Sequence, residues 1–513
     1  MGRSDRVSAQ RKREFIVEGD YVSTFIDQET YDLPYEECGL IGIWNNKQAA
    51  RCAFYGLMAL QHRGQEGAGI TTIDETGRMS DYRGLGLVSE IFKEDHRFEG
   101  LKGRFALGHV RYSTSGESSL NNIQPFLFHF NEGDVALAHN GNLVNGQILK
   151  KRLEKEGAIF RSTSDSEVLM HLIRHSPKTT FLDRVKDALC QVKGGFTYLV
   201  LTEKALIGAC DPNGFRPLVV GRMADGSYVM ASESCALNQL GAEVLFDVEA
   251  GEIVTISREG IHREYYTSNR QQAICSMEYI YFARPDSNIH DVNVHMARKN
   301  CGRILAKEAP SLSADIVVGV PNSSLSAAMG YAEVSGLPNE MGLVKNQYVG
   351  RTFIQPTQEE RELGVRMKLS AVSKLVSGKR VVMIDDSIVR GTTSKRIVQL
   401  LREAGALEVH VRIASPPLKF PCFYGIDISN THELIAAGHS VEEIRDLIGA
   451  DSLAFLSQEG LIEGIGLKSS SPYNGLCMAY FNGDYPTALY DYEEEYLQSL
   501  KELEEAGHDK SLS

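Results

Sequence analysis

One stretch, VVMIDDSIVRGTT at residues 381–393, restricts the fold before any other part of the chain is considered. Four consecutive apolar residues, Val381 to Ile384, demand a buried strand, and they deliver two carboxylates, Asp385 and Asp386, to its carboxyl end. A loop from Ser387 to Thr393 leads into a helix expected from Ser394. There Ile397, Leu400, Leu401 and Ala404 fall at helical spacing, and Gly405 stands where a C-terminal cap belongs. The next apolar run, LEVHVRIAS, completes strand, helix and strand, which makes a parallel βαβ unit. Open α/β sheets bind ligands at the carboxyl ends of their strands. The loop amides, including those of Arg390 and Gly391, the Thr392 and Thr393 hydroxyls and the helix N-terminus together make an anion cradle. Two carboxylates beside it suit a ribose diol, a Mg²⁺–pyrophosphate unit, or both. An acidic pair alone is better explained by a capped helix start with solvated acids; the whole string favours a ligand site.

Around this unit the chain alternates strands and helices from about Ile280, with DIVVGVP followed by a helix over SSLSAAMGYAEVSG. From Cys38 to about residue 265 the texture differs. Short β-type runs (CGLIGIW, GRFALGHVRY, DVALAHN, FTYLVLTE, ALIGAC, YVMAS) are separated by turn residues and mixed with helical pieces, as in an α+β domain with packed sheets. A chain of 513 residues exceeds one hydrophobic core, so two or three domains are expected. A net charge of −13 argues against a duplex nucleic-acid partner, and no apolar run reaches the ~18 residues of a membrane span. Nine dispersed cysteines without a secretory pattern point to a cytoplasmic protein with reduced thiols. The final stretch, LYDYEEEYLQSLKELEEAG, reads as an acidic, solvated helix.

The string at 381–393 resembles the signature of type I phosphoribosyltransferases, which bind phosphoribosyl pyrophosphate (PRPP). The resemblance implies that Asp385 and Asp386 hold the ribose hydroxyls and metal, and that Ser387, Arg390, Gly391, Thr392 and Thr393 hold the 5′-phosphate. Ser323, in the loop GVPNSSLS, lies where a further Mg²⁺ contact is expected; the family more often has Asp at the position of Asn322. Between these loops, residues 345–370 are polar and cationic, as in a mobile lid. Lys345, Arg351, Arg366 and Lys368 are then candidates to neutralise the departing pyrophosphate.

Cys38 follows a polar leader of 37 residues and opens the first strand. Downstream come LQHRGQEGAGI (60–70), GHVRYSTSG (108–116), AHNGNL (138–143) and STSDSEVL (162–169). In this order they resemble the glutamine-amidotransferase branch of the N-terminal nucleophile (Ntn) hydrolases. The resemblance implies that residues 1–37 are a propeptide, and that the α-amine of the exposed Cys38 is the base for its own thiol. It makes Asn140 and Gly141 the oxyanion hole, Arg111 the partner of the glutamine α-carboxylate and Asp165 that of its α-ammonium. Singly, Asn140-Gly141 is also a hairpin turn, Arg111 a surface cation and Asp165 a helix cap. His62 and His109 are assigned to structure.

The two halves together are identified as a member of the amidophosphoribosyltransferase family. The expected fold is an α+β N-terminal domain (an αββα sandwich, Ntn-hydrolase-like) followed by an α/β phosphoribosyltransferase domain with a mainly parallel sheet. The expected segments are 1–37 propeptide, 38–265 glutaminase, 266–470 phosphoribosyltransferase and 471–513 helical tail. The resemblance implies 5-phosphoribosylamine, glutamate and pyrophosphate as products, the entry step of purine biosynthesis. It also implies one Mg²⁺ per subunit, inhibition by purine nucleotides and a homotetramer. One branch of the family carries a [4Fe–4S] cluster on four cysteines. Cys275, Cys422 and Cys477 match three of them, but CMAY places Tyr480 at the fourth, so no cluster is expected, the alternative being a three-thiolate cluster with an open iron site. The rival readings are an amidotransferase acting on another sugar phosphate, which the string DDSIVRGTT opposes, and a PRPP-sensing regulator, which the acidic charge and the region around Cys38 oppose.

Overall fold

The computed structural model describes residues 38–94, 96–112, 119–130, 132–311, 313–346, 369–426, 428 and 431–511. The leader 1–37 and the segment 347–368, which contains Arg351, Arg366 and Lys368, lie outside the described residues.

The first half is built on two antiparallel sheets stacked face to face. Seven strands form one sheet, ordered Glu243–Asp247, Val219–Arg222, Tyr228–Ala231, Gly39–Trp44, Phe105–Arg111, Gly67–Ile73 and Met79–Leu85. Six form the other, ordered Gly260–Tyr265, Glu252–Ser257, Ala205–Cys210, Gly194–Leu201, Gly133–Leu143 and Phe126–Phe130. The strand Gly39–Trp44 is central and buried on both faces. Its alternation divides the core: Ile41 and Ile43 pack toward the helix Ala49–Ala59, while Leu40 and Trp44 meet Leu199 and Leu206 of the other sheet. Complete burial of a branched aliphatic chain contributes about 1.5–3 kcal/mol, so this strand anchors both layers. Helices Glu167–His175 and Phe181–Gln191 cover the second sheet through Val168, Leu172, Val185 and Leu189.

The second half holds a parallel sheet ordered Ile316–Gly319, Arg380–Asp385, Glu408–Ile413 and Ser452–Phe455. The helix after the acidic pair runs Thr392–Glu403, so Thr392 and Thr393 belong to its first turn and not to the loop expected from the sequence. The reason is Gly391, whose φ of +82° turns the chain one residue before the helix starts.

The halves share a core. Val144 and Phe215 of the first are packed with Tyr279, Phe423 and Tyr424 of the second, and the Phe215 and Tyr424 rings stack with centroids 4.2 Å apart. A short strand Gly475–Cys477 pairs in parallel with Ala273–Cys275. The terminal helix Glu493–Ser511 is preceded by a docked segment: the Asp491 carboxylate accepts from Gln147 N at 2.8 Å and Ile148 N at 3.1 Å, capping the helix Gly146–Lys155. The solvated-helix expectation therefore fails for the start of this stretch: Asp491 supplies a missing acceptor for orphan helix amides, and within the helix Tyr496 packs on Phe423 and Ser499 Oγ lies 2.9 Å from Thr431 Oγ1.

Candidate active sites

Cys38 immediately precedes the central strand, and the antiparallel register that sets Gly39 against Val110 carries Cys38 toward Arg111. The thiol is buried and its Sγ lies 3.5 Å from the Tyr112 carbonyl. Burial pushes the thiol up to about 11, against the opposing pull of the Tyr112 hydrogen bond and the Arg111 charge. It is therefore neutral at pH 7 and needs a base. Arg111 is buried as well, donating from Nη1 to Asn122 O at 2.6 Å with Nε 3.7 Å from the Glu66 carboxylate. It is not a surface cation.

Asn140 and Gly141 lie within the strand Gly133–Leu143, paired with Thr197 and Phe196, so they are not a hairpin turn. Gly141 has φ +131°, and a Cβ there would stand 2.1 Å from Gly195 O. Asn140 is 1 % exposed, and neither its Nδ2 nor its Oδ1 has a hydrogen-bond partner. An unpaired buried amide costs about 1–3 kcal/mol, a cost that a ligand arriving at the site would relieve. Asp165 is not the helix cap; that position is Ser166. Its Oδ2 accepts from Leu143 N at 2.8 Å, fixing it beside the Asn140 strand. His109 ties the two sheets, its Nε2 standing 3.2 Å from His139 O; burial lowers it to about 3, so it is neutral. His62 sits 2.7 Å from the Glu233 carboxylate.

At the second site the parallel register places Gly319 against Ile384, so the loops that follow both strands emerge side by side. This brings Ser323 and Ser324 to the acidic pair. The Ser324 hydroxyl donates to Asp385 Oδ1 at 3.0 Å, the Ser323 hydroxyl donates to Asp386, and the Ser387 hydroxyl donates to Asp386 Oδ1 at 2.8 Å. Both carboxyls are buried. Burial raises Asp386, while the Ser323 and Ser387 hydrogen bonds and the nearby Arg298 charge lower it. Arg390 is held by Glu433 at 2.6 Å. A Cβ on Gly391 would stand 2.8 Å from Ile435 Cδ1, so the cradle is closed from behind. Lys345 is exposed at the end of Leu343–Lys345, one strand of a ribbon that flanks residues 347–368. The donors fit Mg²⁺: two carboxylates and a hydroxyl are hard oxygen ligands. Among the described residues no three acidic, His or Cys side chains converge as a metal cage.

A four-thiolate cluster does not fit. Cys275 and Cys477 are register partners, but the fourth position is filled by a buried phenol. The Tyr480 hydroxyl accepts from Met277 N at 2.8 Å and lies 2.9 Å from Ser276 Oγ and 3.5 Å from Cys275 Sγ. Burial, reinforced by the neighbouring thiols, holds this phenol well above its usual range, far from the anion a metal would require.

Residues 109–239 match the glutamine amidotransferase domain and residues 293–415 the phosphoribosyl transferase domain. An amidophosphoribosyltransferase of Staphylococcus aureus (strain COL) is 59% identical over 466 residues, which are 91% of this chain and 94% of that protein. The chain belongs to the amidophosphoribosyltransferase family. The amidophosphoribosyltransferase of Bacillus subtilis (strain 168) is 56% identical over 456 residues, covering 89% of this chain and 95% of that protein. The structure of glutamine PRPP amidotransferase from B. subtilis complexed with ADP and GMP superposes with a TM-score of 0.84 at 56% identity, covering 88% of this chain and 98% of that one. The fold class is therefore that of this amidophosphoribosyltransferase: an antiparallel-sheet glutaminase domain followed by a parallel-sheet phosphoribosyltransferase domain. The enzyme is a glycosyltransferase with glutamine amidotransferase activity, using glutamine and PRPP in purine biosynthesis. No helix among the described residues is long and apolar enough to cross a membrane.

Sequence reasoning missed the surroundings of these residues. Glu66, Asn122 and Ser324 were not singled out, and neither was a buried ion-pair network joining Arg63 to Glu233 and Glu278. The partners lie 170 and 215 residues away in sequence, a separation at which spacing carries no signal.

Proposed function

We propose that Cys38 attacks the glutamine carboxamide, and that the ammonia released is added at C1 of PRPP held by the second site. Once residues 1–37 are removed, the Cys38 α-amine takes the thiol proton and passes it to the leaving nitrogen as the C–N bond breaks, and water then hydrolyses the glutamyl thioester to glutamate. Asn140 and the Gly141 amide receive the oxyanion, Arg111 the α-carboxylate and Asp165 the α-ammonium. Asp385, Asp386, Ser387, Arg390, Gly391, Thr392 and Thr393 hold PRPP, while Lys345 and Arg351 approach its pyrophosphate. When bound, one Mg²⁺ at Ser323, Asp385 and Asp386 supplies positive charge to the departing pyrophosphate. No iron–sulfur cluster takes part. Purine nucleotides regulate the enzyme, a reading supported by the ADP and GMP complex of the B. subtilis protein. A cytoplasmic homotetramer completes the proposal.

The observation that carries this reading is the buried, unpartnered Asn140 carboxamide, on a strand tied by His139 to the strand of Arg111. The test is pyrophosphate release from PRPP and Mg²⁺ with glutamine or ammonium chloride, in wild type and Cys38→Ala. Glutamine supporting wild type alone, with ammonia supporting both, is expected. Glutamine-dependent turnover in Cys38→Ala would overturn the assignment of the nucleophile.

A further inference from the structure

Cys38 is held in place by a side chain that answers to the other half of the molecule. Arg63 is one of the largest fully buried side chains, and its Nε donates to the Cys38 carbonyl at 3.2 Å. The rest of its guanidinium faces two carboxylates. Nη1 donates to Glu233 Oε1 at 2.7 Å and to Glu278 Oε2 at 2.9 Å, and Nη2 donates to Glu278 Oε1 at 2.6 Å. The contact with Glu278 is thus bidentate, the geometry that fixes a planar guanidinium in orientation as well as position. All three side chains are fully removed from solvent.

Glu278 is not part of the glutaminase sheets. It opens the helical turn Glu278–Phe282, whose Tyr279, Ile280 and Phe282 are packed with the core of the phosphoribosyltransferase half. The carbonyl of the next residue, Tyr279, accepts from Arg298 Nε at 2.7 Å. Tyr279, Arg298, Ser323 and Asp386 line one small cavity, and the Arg298 charge acts on the Asp386 carboxyl. A continuous set of contacts therefore runs from the Cys38 carbonyl through Arg63 and Glu278 to the wall of the PRPP site.

We propose that Glu278 is a positioning residue for glutamine hydrolysis: from the phosphoribosyltransferase half, it orients Arg63 and through it the backbone of Cys38. This rests on Cys38 being the glutaminase nucleophile. Glu233 neutralises Arg63 but belongs to the glutaminase half and also accepts from His62, Arg284 N and Ser287. Glu278 alone of the two links Arg63 to the helical turn that reaches the PRPP site. Removing its charge while keeping its shape takes away the bidentate carboxylate that fixes the Arg63 guanidinium, and so loosens its hold on the Cys38 carbonyl.

The test is Glu278→Gln in the full-length enzyme, with the amino terminus verified by intact mass and with Cys38→Ala as a parallel control. Glutamine-dependent and ammonia-dependent pyrophosphate release are measured in the same preparation. A misplacement of about 1 Å at a reacting group costs up to ~100-fold in rate, so glutamine-dependent kcat is expected to fall at least about tenfold. Ammonia-dependent kcat and the KM for PRPP should stay within about twofold, since neither involves Cys38. Ammonia turnover also reports that the chain has folded. Equal loss of both activities would make Glu278 a structural strut, and unchanged glutamine turnover would make it a bystander; either result overturns the proposal. Should Glu278→Gln fail to accumulate, Glu278→Asp, which keeps the charge and withdraws it by one methylene, is read by the same split. If Cys38→Ala itself retains glutamine turnover, the nucleophile assignment falls, a failure distinguishable from that of Glu278.

Discussion

The hydroxyl of Tyr480 lies 3.5 Å from the sulfur of Cys275, at the position where a cluster-bearing relative would place a fourth thiolate. It is a partner that the surrounding backbone requires, since Met277 N donates to it at 2.8 Å. Enzyme purified anaerobically should contain no stoichiometric iron or acid-labile sulfide. Tyr480→Phe should lower stability by about 1–3 kcal/mol, because it leaves the buried Met277 amide unpaired. Four irons and four sulfides per chain would show that the site accepts a cluster despite the phenol.

Asn140→Ala removes an amide that has no partner in the free enzyme. Glutamine-dependent kcat should drop by about 10²–10³-fold, the usual effect of losing one oxyanion donor, while ammonia-dependent turnover persists. The thermal midpoint should change less than for truncation of a hydrogen-bonded buried amide. A large loss of stability with little loss of glutamine turnover would make Asn140 structural.

The Cys38 thiol, raised to about 11 by burial, is ionised in roughly one molecule in a thousand at pH 8. The acid limb of the glutamine-dependent rate should therefore follow the α-amine, ordinarily near ~7.7–8.0, and not the thiol. Below that limb the amine is protonated and cannot accept, so the rate falls as pH falls. The sign for stability is the opposite. A thiol raised on folding contributes fully below the ordinary thiol value, and the contribution is lost as pH rises through about 11. Steady-state rates from pH 5.5 to 9.5 check the first point; an acid limb unchanged by acetylation of the amino terminus would sink it.

Asp386 is raised by burial, so it stays protonated to higher pH than an exposed carboxyl. With Asp386 holding Mg²⁺ and the ribose hydroxyls as proposed, the anion is the binding form, and PRPP affinity should weaken as pH falls, before exposed carboxyls titrate. Asp386→Asn should raise the KM for PRPP at least about tenfold with either nitrogen donor, the loss expected when a metal-binding charge is removed. Initial-rate titrations of PRPP decide this; a change confined to glutamine would place Asp386 outside the PRPP site.

Local pattern was enough to place VVMIDD in a buried strand and to predict a helix beyond it, because apolar periodicity and turn residues act over a few positions. It misjudged the start of that helix by two residues, since a glycine in a sequence does not reveal that it will adopt φ +82° and start the helix at Thr392. Cys38, Asn140, Arg111 and Asp165 were legible as motifs. Their burial was not, and burial is what turns Arg111 from a surface cation into a fixed one and raises the thiol. Ser323 and Ser324 meet Asp385 and Asp386 only through the parallel pairing of two strands more than 60 residues apart. Arg63 meets Glu278 across 215 residues. Side-chain chemistry at each position is a property of the chain, but which charges face one another is set by how sheets stack and strands order. That choice belongs to the shared core, where no single segment contains the information.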